Sequence, residues 1–161
     1  MNATLSNESL ERIDRELAKY PPDHKKSAVM ATLAIAQDEK GWLCADIIEW
    51  VADYLGIPPV AVYEVATFYS MYNLEPLGKH QLTVCTNLPC ALSGAGEAAA
   101  HLKRCLGVDW NETSADGHVT LKEGECFGAC GDAPVILHNN KKMLIGMTPA
   151  RIDVLLADLK K

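Results

Sequence analysis

Residues 84–96 read "VCTNLPCALSGAG", and the reading of this stretch decides the fold of the second half of the chain. Cys85 closes the apolar run "QLTV", Cys90 opens a segment with helical spacing, and Pro89 stands between them. Four residues separate the two cysteines. A thioredoxin-type redox pair follows the tighter C-x-x-C pattern, and zinc knuckles favour about two to four intervening residues. The expectation is a strand-to-helix turn with one thiol on each side, wider than the redox loop and at the upper end of the zinc range.

Outward from this turn, residues 78–161 alternate strand and helix patterns. "QLTVCT" is the first strand and "PCALSGAGEAAAHLKRCLGV" a single helix. "GHVTLKEGE" follows an Asp116-Gly117 turn as the second strand. "PVILHNN" and "KMLIGM" are two short strands joined at Asn139-Asn140, a hairpin signal. "TPARIDVLLADLKK" closes the chain as a helix, with Thr148 as N-cap and Pro149 in its first turn. The order β-α-β, loop, β-β-α is that of a thioredoxin-like unit, with helices packed against a small mixed sheet. Folds of this kind place a cis-proline ahead of the third strand, so the Ala133–Pro134 bond is expected to be cis.

Residues 1–77 carry helical periodicity throughout. "SLERIDRELAKY" places Leu10, Ile13 and Leu17 on one face, and Pro21-Pro22 ends it. Asp23 is the expected N-cap of "HKKSAVMATLAIAQDEK", which Gly41 stops. "DIIEWVADYLG" repeats the pattern, and Pro58-Pro59 then opens "VAVYEVATFYSMY". Four short amphipathic helices make a small bundle. The aromatic side chains of "ATFYSMY" are assigned to the core, with a partner surface as the second reading. The fold class is therefore α+β: an N-terminal helical bundle over 1–77, then a thioredoxin-like α/β domain over 78–161.

Composition narrows the function. With 161 residues, 48% hydrophobic and 22% charged, the chain has material for its cores without disulfide staples. A net charge of −6 argues against nucleic-acid binding, which needs a basic stripe. The first residues are charged throughout and lack a signal-peptide pattern. No apolar run reaches the length of a membrane span. A cytoplasmic protein is expected, and in that reducing compartment six cysteines point to metal or redox chemistry rather than disulfides.

Cys126 and Cys130 form a second pair in the Gly-rich loop "GECFGACGDAP", and 35 residues separate it from Cys90. In the expected topology the loop after the first strand and the loop before the third meet at one end of the sheet, so the pairs converge. Four thiolates without a converging histidine suit zinc or an iron–sulfur cluster. The wide spacings favour a cluster, which is larger than one ion. So do Gly124, Gly128, Ala129, Gly131 and Ala133, small residues that let backbone N–H groups approach sulfur. Cys90 at a helix N-terminus also suits an anionic group. Cys44 and Cys105 stand alone and are assigned as buried apolar residues. His24, His80, His101, His118 and His138 lack ligand spacing and are assigned to solvated surface. "SGAGEAAA" is not a dinucleotide fingerprint and is taken as close helix packing.

"CTNLPC" with "GECFGACGDAP" resembles the thioredoxin-like [2Fe–2S] ferredoxins. "QDEKGWL", "YLGIPPVAVYEVATFYSMYNLEPLGKH" and "MTPARIDVLL" are similar to a narrower family, the E subunits of NADH:quinone oxidoreductase. These are the small iron–sulfur subunits of the flavoprotein part of respiratory complex I. The resemblance spans essentially the whole chain; Phe127 stands where the family often has Leu. It implies that Cys85, Cys90, Cys126 and Cys130 bind one [2Fe–2S] cluster, the centre called N1a, with Cys85 and Cys90 on one iron and Cys126 and Cys130 on the other. It implies docking, largely through the helical region, on the subunit that binds NADH and FMN, and single-electron exchange between cluster and FMN. The complex's peripheral arm, on the cytoplasmic side of the inner membrane, is the implied location, with no direct membrane insertion. The chain is then an electron-transfer subunit without catalytic residues. It has no flavin or dinucleotide pattern, so alone it should not oxidise NADH. Equivalent subunits of NAD-dependent formate dehydrogenases or NAD-reducing hydrogenases are the alternative within the redox class. A zinc-stabilised interaction module is the alternative outside it.

Overall fold

Apolar side chains spaced for helices in the first half, and for a sheet with covering helices in the second, bury into separate cores. The computed structural model describes residues 4–159, in which the chain divides into two compact units between Pro76 and Leu77. The stretch of the closing helix assigned to Lys160 and Lys161 lies outside the described residues.

The first unit consists of α1 (Asn7–Leu17), α2 (Val29–Lys40), α3 (Ala45–Leu55) and α4 (Pro59–Phe68). Ile13, Leu33, Val51, Leu55 and Val62 fill its centre. Helix α1 starts where it does because Ser6 caps it, its hydroxyl accepting from the Ser9 N–H at 3.3 Å. Glu39 of α2 accepts from the Ser6 N–H at 3.0 Å and from its hydroxyl at 2.9 Å, which satisfies a donor ahead of the first turn. Gly56, at φ 67°, takes the left-handed conformation that ends α3.

Two helix boundaries differ from the sequence expectation. Asp23 caps nothing: Lys25–Ala28 form a 3₁₀ turn preceded by His24, and α2 starts at Val29 without a side-chain cap. Helix α4 stops at Phe68, with Tyr69 extended. The cause is tertiary. Leaving the helix lets Tyr72 bury and donate its hydroxyl to the Met30 carbonyl at 2.8 Å. It also lets the Asn73 N–H reach Gln37 Oε1 at 2.6 Å, while the Asn73 carbonyl accepts from the Leu43 N–H at 2.8 Å. Of the aromatic group only Tyr72 is core; Phe68 is 79% exposed, and Tyr63 and Tyr69 are exposed as well.

The second unit runs β1 (His80–Cys85), α5 (Leu88–Leu92), α6 (Ala95–Leu106), β2 (Glu112–Thr113), β3 (Val119–Gly124), β4 (Ile136–His138), β5 (Lys142–Leu144) and α7 (Pro149–Leu159). The sheet order is β2-β3-β1-β4-β5, with β1 and β3 parallel and the other pairs antiparallel. Central β1 is buried from Gln81 to Cys85, as a strand covered on both faces should be. Leu82, Val84, Leu121 and Ile136 of the sheet share a core with Leu102 of α6 and Ile152 of α7. This is the thioredoxin-like α+β arrangement.

The single helix expected after Pro89 is broken. Gly94 has φ 97°, a conformation that L side chains rarely adopt, so a five-residue α5 carrying Cys90 is separate from the 12-residue α6. Strand β2 was not anticipated; its two residues pair with Thr120 and Leu121 of β3, and so short a segment has no legible period. Asn139 and Asn140 both take positive φ, as the hairpin between β4 and β5 requires. The Ala133–Pro134 bond is cis.

Candidate metal centre

Parallel pairing of β1 with β3 sets Cys85, the last residue of one, opposite Gly124, the last residue of the other. The Cys85 N–H bonds the Val135 carbonyl at 3.0 Å and the Thr86 N–H bonds the Gly124 carbonyl at 3.1 Å. The end of β1 is thus tied to a chain segment on each side. Asn87 Nδ2 donates to Glu125 Oε2 at 2.7 Å and joins the two cysteine-bearing loops. Cys90 stands in α5, which is closed by the Ser93 N–H on the Cys90 carbonyl and by the Ser93 hydroxyl on the Pro89 carbonyl. Cys126 follows β3, and Cys130 opens a 3₁₀ turn to Asp132.

These connections bring together the four cysteines expected from the sequence. Cys126 Sγ and Cys130 Sγ are 3.9 Å apart. Two thiolates on one tetrahedral metal, with bonds of about 2.3 Å, stand about 3.8 Å apart, so this pair is spaced to share an ion. Besides burial, the Cys85 and Cys130 thiols both act on the Cys90 thiol and push it up, so the two pairs are neighbours. One zinc held by four thiolates would keep all the sulfurs about 3.8 Å from one another. Among the described residues, the group of three ligand atoms lying mutually within 4.8 Å is His101, Cys105 and Asp153, not any three of these cysteines. The donor set therefore fits a group with two metals, each taking one pair, better than a single ion.

Burial divides the centre. Cys85 and Cys90 are buried with Ala95 and Val135, while Cys126 and Cys130 are exposed. Phe127, Ala129 and Ala133 pack on the buried side. A Cβ at Gly124 would lie 2.6 Å from Thr83 Cγ2 and 2.7 Å from Phe127 Cζ, so a glycine is what lets the ring lie there. Burial first, and then the neighbouring Cys85 thiol, push the Cys90 thiol up. The hydrogen bond with Cys126 and its charge push Cys130 up. Thiols this crowded need a cation to ionise together. The Gly128 N–H points at Cys126 Sγ at 3.4 Å, the kind of contact the small residues of the loop were expected to permit.

Two expectations about side chains outside the four cysteines are overturned, one for Cys105 and one for the histidines. Cys105 is exposed rather than buried, because its flank of α6 faces Asp153 rather than a covering side chain; its sulfur lies 3.5 Å from His101 Nε2. Cys44, half-buried and packed against the bundle core, is in keeping with its assignment as an apolar packing residue. Of the histidines His24 is exposed as expected, but the other four are not simply solvated: His80 Nδ1 lies 3.1 Å from His138 Nε2, His118 Nδ1 is buried, and His101 pairs with Asp153. With α5 only five residues long, Cys90 has little helix dipole behind it. The pattern also concealed an apolar rim, since Leu88 and Leu92, on the same short helix as Cys90, are 69% and 80% exposed.

The family profile of the thioredoxin-like [2Fe-2S] ferredoxins matches residues 13–160. The E subunit of NADH-quinone oxidoreductase from Rickettsia bellii (strain RML369-C) is 39% identical over 166 aligned positions, covering 99% of each chain. The NADH-quinone oxidoreductase subunit 2 of Thermus thermophilus is 39% identical, covering 92% of this chain and 82% of its own. A solved NAD+-reducing [NiFe]-hydrogenase in the H2-reduced state superposes with a TM-score of 0.69 at 21% identity, over 80% of this chain and 22% of the hydrogenase chain. That last likeness is one of fold.

Proposed function

The chain belongs to the thioredoxin-like [2Fe–2S] ferredoxin family, and within it to the E subunits of NADH-quinone oxidoreductase, and on that footing we propose that it is the complex's electron-transfer subunit with one [2Fe–2S] cluster. The observation that carries the reading is the convergence of two cysteine pairs at the ends of β1 and β3, one buried and one exposed. Cys85, Cys90, Cys126 and Cys130 are the ligands. When bound, the cluster accepts and donates single electrons, and its type is N1a.

The chain's own residues do the rest. Cys85 anchors the group to the sheet and Cys90 to α5, the Gly128 N–H bonds the Cys126 sulfur, and Phe127 covers the loop backbone. The exposed pair and the Leu88–Leu92 rim form the face through which electrons pass. The partner is the NADH- and FMN-binding flavoprotein subunit, whose FMN splits the hydride pair into single electrons for this cluster. Val60, Tyr63 and Phe68 of α4, all exposed, belong to the docking surface of the helical unit. No described helix is long and apolar enough to cross a membrane; within the complex, the place for this chain is the peripheral arm, on the cytoplasmic side. Identity of 39% to NADH-quinone oxidoreductase subunits favours this context over a formate dehydrogenase or hydrogenase counterpart.

The test is purification of the chain alone and with its flavoprotein partner. Alone it should be red-brown, hold about two irons, give a one-electron spin signal with dithionite and remain oxidised with NADH. Together the two should form a stable heterodimer in which NADH reduces an artificial acceptor. A colourless protein with one zinc per chain, or NADH oxidation by the isolated chain, would refute the proposal.

A further inference from the structure

Helices α6 and α7 are neighbours, and where they meet three ligand-type side chains converge. His101 and Cys105 stand one turn apart on α6, and Asp153 faces them from α7. Asp153 Oδ1 lies 2.7 Å and Cys105 Sγ 3.5 Å from the same His101 nitrogen, Nε2. The three ligand atoms all lie within 4.8 Å of one another. We propose that His101 Nε2, Cys105 Sγ and Asp153 Oδ1 form a second metal site, for a zinc-class divalent ion, distinct from the four-cysteine centre and with a fourth position open to water.

The arrangement could be mistaken for a nucleophile relay. A Cys–His–Asp relay uses both ring nitrogens, the thiol on one and the carboxylate on the other. Here both groups approach Nε2, and Nδ1 faces Arg104 Nη2 at 3.3 Å. Convergence on one point is what an ion requires. Zinc bonds of about 2.0–2.1 Å to nitrogen and 2.3 Å to sulfur, at a tetrahedral angle, place the two about 3.5–3.6 Å apart. The observed sulfur–nitrogen distance is 3.5 Å. The matching nitrogen–oxygen separation is about 3.3 Å, so the 2.7 Å hydrogen bond must open as the ion replaces the proton. Asp153, with 61% of its side chain exposed, is free to make that movement. One nitrogen, one sulfur and one oxygen suit zinc rather than magnesium or calcium, which take oxygen ligands.

Arg104 supplies a signature. Without an ion, its guanidinium donates to Nδ1, so the ring proton sits on Nε2 and is given to Asp153. An ion on Nε2 moves the proton to Nδ1, where Arg104 cannot accept it. Arg104 therefore opposes binding, and a carboxylate in its place would favour it.

The full-length protein, purified with its four-cysteine centre loaded, is titrated anaerobically with Zn²⁺ alone against a chromophoric chelator, with iron and zinc counted by mass spectrometry. The result expected is one zinc per chain with iron retained. His101→Ala, Cys105→Ser and Asp153→Asn should each weaken binding at least about tenfold, Arg104→Glu should tighten it several-fold, and zinc-edge absorption should report one sulfur neighbour. Circular dichroism of each variant confirms that it is folded. The difference between parent and Cys105→Ser counts this site whatever the other centre holds, so the outcome is separable from the reading above. Absence of zinc uptake, uptake undiminished in both His101→Ala and Cys105→Ser, or uptake matched by loss of iron would overturn the assignment.

Discussion

Gly124→Ala tests how the sheet shapes the metal centre. The added methyl would sit 2.6 Å from Thr83 Cγ2 and 2.7 Å from Phe127 Cζ. Carbon atoms in good contact stand about 3.5–4.0 Å apart, so each neighbour would have to retreat by about 1 Å. Thr83 has little freedom to do so. It lies on central β1, paired with Lys122 and Leu137, and its hydroxyl accepts from Gln81 Nε2 at 3.0 Å. The Phe127 ring must swing out instead, and with it part of the cover over Cys85 and Cys90. Overpacking costs about 1–3 kcal/mol, and full exposure of a Phe about 1.5–3 kcal/mol. With only part of the ring uncovered, the sum is about 2–3 kcal/mol. In a domain of this size each kcal/mol lowers the melting temperature by about 4–8 °C, which predicts a fall of about 8–24 °C. The assay is a thermal melt of the loaded protein, followed by the visible absorption of the centre and by circular dichroism. Gly131→Ala is the control, since its Cβ meets nothing within 4 Å in the same loop; it should cost less than about 0.5 kcal/mol. A Gly124→Ala protein melting within about 2 °C of the parent, or a control falling equally far, would refute the packing argument.

Cys85→Ser, Cys90→Ser, Cys126→Ser and Cys130→Ser should each lose iron and colour, whereas Cys44→Ser and Cys105→Ser should keep both; iron content of each purified variant decides. Glu39 is lowered to about 2 from the ordinary 4.5, first by the Ser9 side chain and then by Lys40. Its depressed pKa means that its contribution is complete above pH 4.5 and is lost as pH falls towards 2. Solvent exposure reduces that contribution to about 1 kcal/mol. Glu39→Gln should flatten this acid limb in urea titrations, and an unchanged limb would count against it. His80 and His138 are both lowered, by burial first and then by charged neighbours that include Lys79 for His80 and His80 for His138. The fold therefore favours their neutral forms, and stability should decline as pH drops below the ordinary 6.5 through the depressed values. His138→Gln should remove part of that decline, measured as urea midpoints at pH 7 and about pH 5.5.

Local pattern was enough to find most elements. Ile47, Val51 and Leu55 mark α3 by their spacing, and its stop is Gly56. Asn139-Asn140 marks a hairpin because asparagine tolerates positive φ. The spacing of Cys85, Cys90, Cys126 and Cys130 separates a paired set from the isolated Cys44 and Cys105. These signals are legible because each depends on backbone preferences or side-chain types within a few residues. The break at Gly94 is less so: "SGAGEAAA" can continue a helix, and the left-handed turn that splits it is one of several options open to glycine. The end of α4 depends on partners more than thirty residues away, Met30, Gln37 and Leu43. Burial escaped the pattern for the same reason. Cys105 has a helical position suited to a core, yet what faces it is Asp153 of α7 rather than an apolar side chain. Cys85 and Cys90 are covered while Cys126 and Cys130 are open because Val135, Ala95 and Phe127 close over one side only. Residue order alone sets which groups exist and which backbone shapes carry them. Their close approach, from Cys90 to Cys130 and from His101 to Asp153 across 52 positions, depended on the order of the strands and the docking of the helices. Contacts between distant segments are set by the sheet and the packing that bring those segments together, and no local pattern encodes them.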